Sequence, residues 1–120
     1  MSELTLTYFN IQGPAEPARL ALKVGKIPFT DKRVDFKDWS SNKDKWKEDG
    51  KLPFGQLPTF QVDGTLLAQS AAIANYCAKI AGLVPEDIMQ QYKIDEAVAF
   101  ISQDIRDRTI APTMKLKGTF

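Results

Sequence analysis

The chain contains no histidine and a single cysteine, Cys77, among its 120 residues. Without an imidazole it cannot assemble a Ser-His-Asp or Cys-His nucleophile, use imidazole acid–base chemistry, or build most zinc sites. One cysteine excludes an internal disulfide and any CxxC redox pair, and it fits a reducing compartment. Charge of one sign is also missing. Sixteen Lys/Arg stand against fifteen Asp/Glu, so no strong field invites nucleic acid or an anionic membrane. No apolar run nears the roughly 18 residues that span a bilayer. The N-terminus, MSELTLTYF, lacks a basic segment followed by an apolar one, and the C-terminal KLKGTF carries no sorting signal. The default expectation is a soluble cytoplasmic protein that engages neither nucleic acid nor membrane. What is present, 43% hydrophobic and 26% charged residues, is the mixture of an ordinary globular chain of about one domain.

The chain reads as two blocks. LTLTYF over residues 4–9 alternates apolar and small polar side chains, which predicts a strand. NIQGPAEP follows as a turn, and Pro17 suits the first turn of a helix, where its missing N–H is no loss. That helix, near 17–24, puts Leu20 and Val24 on one face and stops at Gly25. The segment 27–36 reads as a second strand, with Val34 and Phe36 alternating. The polar KDWSSNKDKWKEDGK reads as a surface loop with a short helical turn. LPFGQLPTFQVDGTLLAQS reads as strand, Asp-Gly hairpin, strand, and the Ala-rich 70–81 as a buried helix ending at Gly82. The second block is one long helix, about 85–108. In it Ile94, Val98, Ile101 and Ile105 form an apolar stripe, Pro85 suits the start, and Glu86 and Asp87 suit the positive end.

The positions with chemistry lie in the first block, each with two readings. Leu57-Pro58 opens a strand where proline cannot donate a ladder bond. It is an ordinary trans edge proline or a cis turn, and a cis turn would leave the Leu57 backbone facing outward for an added extended peptide. Gln69 and Ser70 stand where the 70–81 helix begins. Ser70 is a plain N-cap there, or it joins the free N–H groups in binding a carboxylate. Tyr8 either packs, or aims its O–H at a thiol and so favours the thiolate. A thiol of pKa about 8.5 is only ~3% ionised at neutral pH, and lowering it by about 2 units gives about three quarters thiolate. Trp39 and Lys43 belong to a solvated charged loop, or wall the site and pair a second carboxylate. Cys77, among apolar neighbours inside a helix, reads as an inert small hydrophobe.

Taken together, YFNIQGPAEPARL, Trp39 with Lys43 four residues on, LPFGQLPTF, VDG and QSAAIANY resemble the N-terminal domain of cytosolic glutathione transferases. The sigma class, with its glutathione-dependent prostaglandin D synthases, is the most similar, the mu and pi classes less so. The resemblance runs over about 4–83 and continues more weakly into the long helix. It implies an α/β, thioredoxin-like β-α-β-β-β-α domain over 1–83, and over 84–120 the start of a truncated all-helical domain. It further implies glutathione as co-substrate, a hydrophobic electrophile as acceptor, a homodimer, and no metal. By resemblance, Tyr8 is the thiol-activating residue. Leu57, before a cis Pro58, binds the cysteinyl backbone, and Gln69 and Ser70 bind the γ-glutamyl carboxylate. Trp39 and Lys43 bind the glycyl end, with Gln56 nearby. Gln103 or Asp104 of a partner subunit meets the γ-glutamyl amine, and Phe54 occupies the place of the aromatic key that some classes insert into that subunit.

The sequence also departs from the pattern. Pro14 stands where sigma-like enzymes often carry an arginine, and little follows the first helix of the second domain. The expected function is activation of the glutathione thiol for conjugation, with prostaglandin isomerisation or peroxide reduction as variants. The alternative is a non-catalytic glutathione-binding or interaction module. A thiol-disulfide oxidoreductase is disfavoured by the single cysteine. The apolar stripe, left uncovered, is expected to drive self-association.

Overall fold

The computed structural model describes residues 2–103 together with Arg108 and Pro112. The chain divides into two compact units, Met1–Leu83 and Val84–Phe120. In the first unit the order is β1 (Leu4–Phe9), α1 (Glu16–Val24), β2 (Thr30–Val34), α2 (Phe36–Glu48), β3 (Thr59–Val62), β4 (Thr65–Ala68) and α3 (Ser70–Ile80). The sheet runs β2-β1-β3-β4, with β1 and β2 parallel and the other neighbours antiparallel. This is the mixed four-stranded sheet of a thioredoxin-like α/β domain.

The alternation of β1 sorts its side chains to two faces. Leu4, Leu6 and Tyr8 are buried, and they meet Ala15, Ala18, Ala21 and Leu22 of the α1 region, Phe60 of β3, and Ile73 and Cys77 of α3 in one core. Phe60, Leu6, Leu22 and Ile73 are fully enclosed, each contributing about 1.5–3 kcal/mol of transfer free energy. Small residues let α1 and α3 approach closely. A Cβ built on Gly25 would lie 2.6 Å from the Ala81 Cβ. The other face of β1 carries Phe9, stacked on Phe36 at 4.7 Å and edge-on to Trp39 at 5.4 Å, so α2 borders that side.

Three local readings are corrected and a fourth is sharpened. The polar stretch read as a loop is the 13-residue helix α2. Phe36, read as the end of the second strand, opens that helix, because β2 stops at Val34. Leu20 and Val24 do share a face of α1, but it is exposed, and the inward face is Ala18, Arg19, Ala21 and Leu22. In the second unit, α4 (Ile88–Ala99) begins three residues after the expected Pro85, because Asp87 is its cap and accepts from the Gln90 N–H at 3.0 Å. Beyond Ala99 the backbone takes a wider winding over 100–103. Ile94, Val98 and Ile101 are exposed, and Ile105 lies outside the described residues. No helix among the described residues is long and apolar enough to cross a membrane.

Candidate functional site

The strand register brings the singled-out residues to one end of the sheet. The last fully paired rung is Thr7–Thr59–Ala68. One step beyond it on the three strands stand Tyr8, Pro58 and Gln69, with Leu57 and Ser70 flanking. This is the carboxyl end of β1, β2 and β4, where the loops and helix starts converge.

Each position has a local cause. The Leu57-Pro58 bond is cis, and among the described residues the backbone hydrogen bonds outside helices and strands include none from Leu57. Gln69 adopts φ 79°, ψ 112°, a left-handed-side conformation that a glutamine adopts only where its surroundings enforce it. Ser70 is therefore the first helical residue and not the cap. No side chain caps the turn, and no acidic residue occupies it. The first N–H groups of α3 thus present a partial positive charge at the cluster.

Tyr8 is buried, and its hydroxyl lies under the turn that follows β1. A Cβ on Gly13 would come within 2.9 Å of Tyr8 Oη. Gly13 sits at φ +52°, so both the backbone conformation and the close approach call for glycine there. Trp39 is half-buried and reaches the cluster through Phe9, whose ring is 5.1 Å from that of Tyr8. Lys43 is exposed one turn along α2, and Gln56 is exposed beside Leu57. Gln103 belongs to the second unit and is exposed there, while Asp104 lies outside the described residues.

Sequence reasoning did not single out Gly13, Phe9 or the buried Arg19. Arg19 is 1% exposed, and its guanidinium carbon is 5.8 Å from the Tyr8 ring centre. The only signal available was a charge set between Ala18 and Ala21 on the small-residue face of α1. Cys77 is fully buried, and burial pushes its thiol up to about 11. It is a core residue, protonated at neutral pH.

Among the described residues no cluster of His, Cys, Asp or Glu could hold a metal ion. Two apolar clefts of about 330 and 370 Å³ lie elsewhere, the second between β4 and α3 with exposed Phe54 on its rim. Neither cleft is lined by Tyr8, Leu57, Pro58, Gln69 or Ser70; what the cluster offers is a cis-proline strand end beside the uncapped first turn of α3.

Comparison with known proteins identifies the family of the fold. The family "Glutathione S-transferase, N-terminal domain" matches residues 4–79. Glutathione S-transferase 1 of Ascaris suum is 41% identical over 95 residues, 79% of this chain and 43% of that protein. The human hematopoietic prostaglandin D synthase is 38% identical over 98 residues, 82% of this chain and 46% of that one. Among solved structures, a nematode-specific glutathione transferase of Caenorhabditis elegans superposes with a TM-score of 0.84 at 30% identity, over 100% of this chain and 56% of that one. The chain thus spans about half the length of the relatives it matches. With the family matching well over half of its residues, and with the same fold, the chain belongs to the glutathione S-transferase N-terminal domain family.

Proposed function

We propose that this chain binds glutathione along the end of its sheet and activates the thiol for transfer to hydrophobic electrophiles, as a glutathione transferase. The observation that carries the reading is the convergence of Tyr8, Leu57-Pro58 and Gln69–Ser70 at one end of the sheet, just beyond its last paired rung. In this reading the cysteinyl backbone of glutathione pairs with the Leu57 N–H and C=O as a short added strand, beside Pro58. The γ-glutamyl carboxylate lies on the first turn of α3 with the Ser70 hydroxyl and the Gln69 amide. Trp39, Lys43 and Gln56 take the glycyl carboxylate, and Gln103 of a second subunit meets the γ-glutamyl amine. The segment 1–83 is the glutathione domain, and 84–120 opens a helical one.

The chemistry follows from those placements. The Tyr8 O–H donates to the sulfur, which favours the thiolate while the thiol proton leaves to solvent. Lowering the thiol by about 2 units raises the nucleophilic fraction from a few per cent to about three quarters at neutral pH. The thiolate attacks the electrophilic carbon, a C–S bond forms, and the leaving group departs with the bonding pair. Held beside a hydrophobic acceptor, the sulfur also gains from proximity.

A homodimer is part of this proposal, supported by the exposed apolar side chains Leu20 and Val24 in one unit and Ile94 and Val98 in the other. Sedimentation equilibrium tests it. The class is proposed as sigma-like, with detoxifying conjugation in the cytoplasm, where glutathione is abundant. Isomerisation of a prostaglandin endoperoxide would mark the prostaglandin D synthase branch. The central test is calorimetric binding of glutathione together with conjugation to a generic aromatic halide, each repeated with Tyr8→Phe. Binding that survives in Tyr8→Phe while turnover falls supports the transferase. Binding with no turnover above the solution rate in either protein supports a binding module. No binding refutes both.

A further inference from the structure

We propose that Arg19 and Arg33 are positioning residues for Tyr8. They hold the three residues that follow it and so fix the phenol where the thiol lies, an inference that rests on the reading of Tyr8 given above. Arg19 is a cation buried on an α1 face otherwise made of Ala18, Ala21 and Leu22. A buried charge is tolerated only when its hydrogen bonds are satisfied, and the partners here are specific. Nη1 donates to the Ile11 carbonyl at 2.6 Å and to Glu16 Oε2 at 3.3 Å. Nη2 donates to the Phe9 carbonyl at 3.1 Å, and Nε to Asp31 Oδ1 at 3.1 Å.

Arg33 completes the arrangement from β2. Its Nη1 donates to Asn10 Oδ1 at 2.9 Å, while Nε and Nη2 donate to Asp31 Oδ2 at 3.1 and 2.9 Å. Asp31 is therefore shared, one oxygen to each arginine. Residues 9, 10 and 11 are each held by a guanidinium, immediately before the turn in which Gly13 closes over Tyr8 Oη.

Position, not field, is what the pair supplies. The two guanidinium groups face Asp31 and Glu16, so the local charge is balanced. Apolar side chains would fill α1 as well, but only a planar fork can bind the Phe9 and Ile11 carbonyls and a carboxylate at once. A shift of residues 9–11 would carry Gly13 with it and release the Tyr8 hydroxyl from its place.

The test uses the chain with Arg33→Gln, at an exposed residue that leaves the core untouched, and Arg19→Lys, which keeps the charge and loses the fork. Without ligand, amide exchange over 9–13 is expected to speed up about tenfold in both, as a local opening made easier. With glutathione as the probe, the calorimetric dissociation constant stays within about threefold. The ultraviolet titration of the bound thiolate moves up by roughly half to one pH unit, because the donor is displaced and not removed. Gly25→Ala, which loosens α1 against α3, is the destabilised control and leaves the titration where it was. Unchanged exchange and titration in both arginine variants would overturn the proposal, as would an equal titration shift in Gly25→Ala. Failure of the unsubstituted chain to bind glutathione would refute the functional reading and not the arginine clamp, which the exchange measurement decides by itself.

Discussion

Replacing Gly13 with alanine tests the packing of Tyr8 most directly, and its magnitude can be worked from two independent parts. The first is backbone. Gly13 sits at φ +52°, where an alanine costs about 1–2 kcal/mol relative to glycine. The second is contact. The new Cβ would stand 2.9 Å from Tyr8 Oη and 3.3 Å from its Cε2. Tyr8 is buried and in the core, so the ring cannot swing away as a surface side chain would. Forcing a methyl into a packed site costs about 1–3 kcal/mol. Gly64 separates the two parts, since it has φ +87° and nothing within 4 Å of an added Cβ. Urea titration of both variants is expected to show a backbone loss alone for Gly64→Ala and about 1–3 kcal/mol more for Gly13→Ala. The extra strain must come out at Tyr8, so only Gly13→Ala should also lower the bound thiolate fraction. Equal stabilities for the two variants, with an unchanged thiolate, would refute the claim that Gly13 is there to make room for the phenol.

Other expectations follow from single features. Gly25→Ala keeps an ordinary helical backbone but meets Ala81 Cβ at 2.6 Å and its Cα at 2.9 Å. A loss of about 1–3 kcal/mol is expected in the same titration, and an unchanged midpoint would show that the two helices can part freely. Asp87→Ala removes the side-chain cap bond to the first turn of α4 and should cost about 1 kcal/mol of local stability, read as faster exchange of the Gln90 amide. Cys77, with its thiol raised from 9.0 to about 11 by burial, gives a pH signature. Below pH 9 both folded and unfolded chains keep the proton. Between 9 and 11 only the folded chain does, so the stability this thiol contributes falls with rising pH by about 3 kcal/mol. The stability gap between wild type and Cys77→Ala should be flat below pH 8 and narrow above 9. A gap that stays constant would place the thiol in contact with solvent.

Much of the fold was legible because its cues are local. The alternation of LTLTYF, the Asp63-Gly64 turn and the stop at Gly82 each specify geometry within a few residues. The helix α2 was not legible, because it buries no residue completely and so shows no continuous apolar stripe. Its remaining signals were Asp35 before the first turn and two tryptophans seven residues apart. The start of α4 was misread because Pro85 and Asp87 both suit a helix start, and only the Asp87 side-chain bond decides between them. At the candidate site, Tyr8, Leu57-Pro58 and Gln69-Ser70 stood out because each lies next to a turn or helix end. Arg19 could not be read the same way. Sequence gives its charge, but the carbonyls of Phe9 and Ile11 and the carboxylate of Asp31 reach it only when β1, β2 and α1 are assembled.

The aromatic contacts on α2 have an optical consequence. The chain has two tryptophans, and both are on this helix, Trp39 edge-on to Phe9 and Trp46 with its ring 6.3 Å from Trp39. Fluorescence excited selectively through tryptophan, past the tyrosines, one of which is Tyr92 of α4, therefore originates entirely on α2, with no indole in the second unit to dilute it. A ligand settling against Trp39 should change the emission of an unlabelled sample, while events confined to α4 should leave the spectrum dark to them.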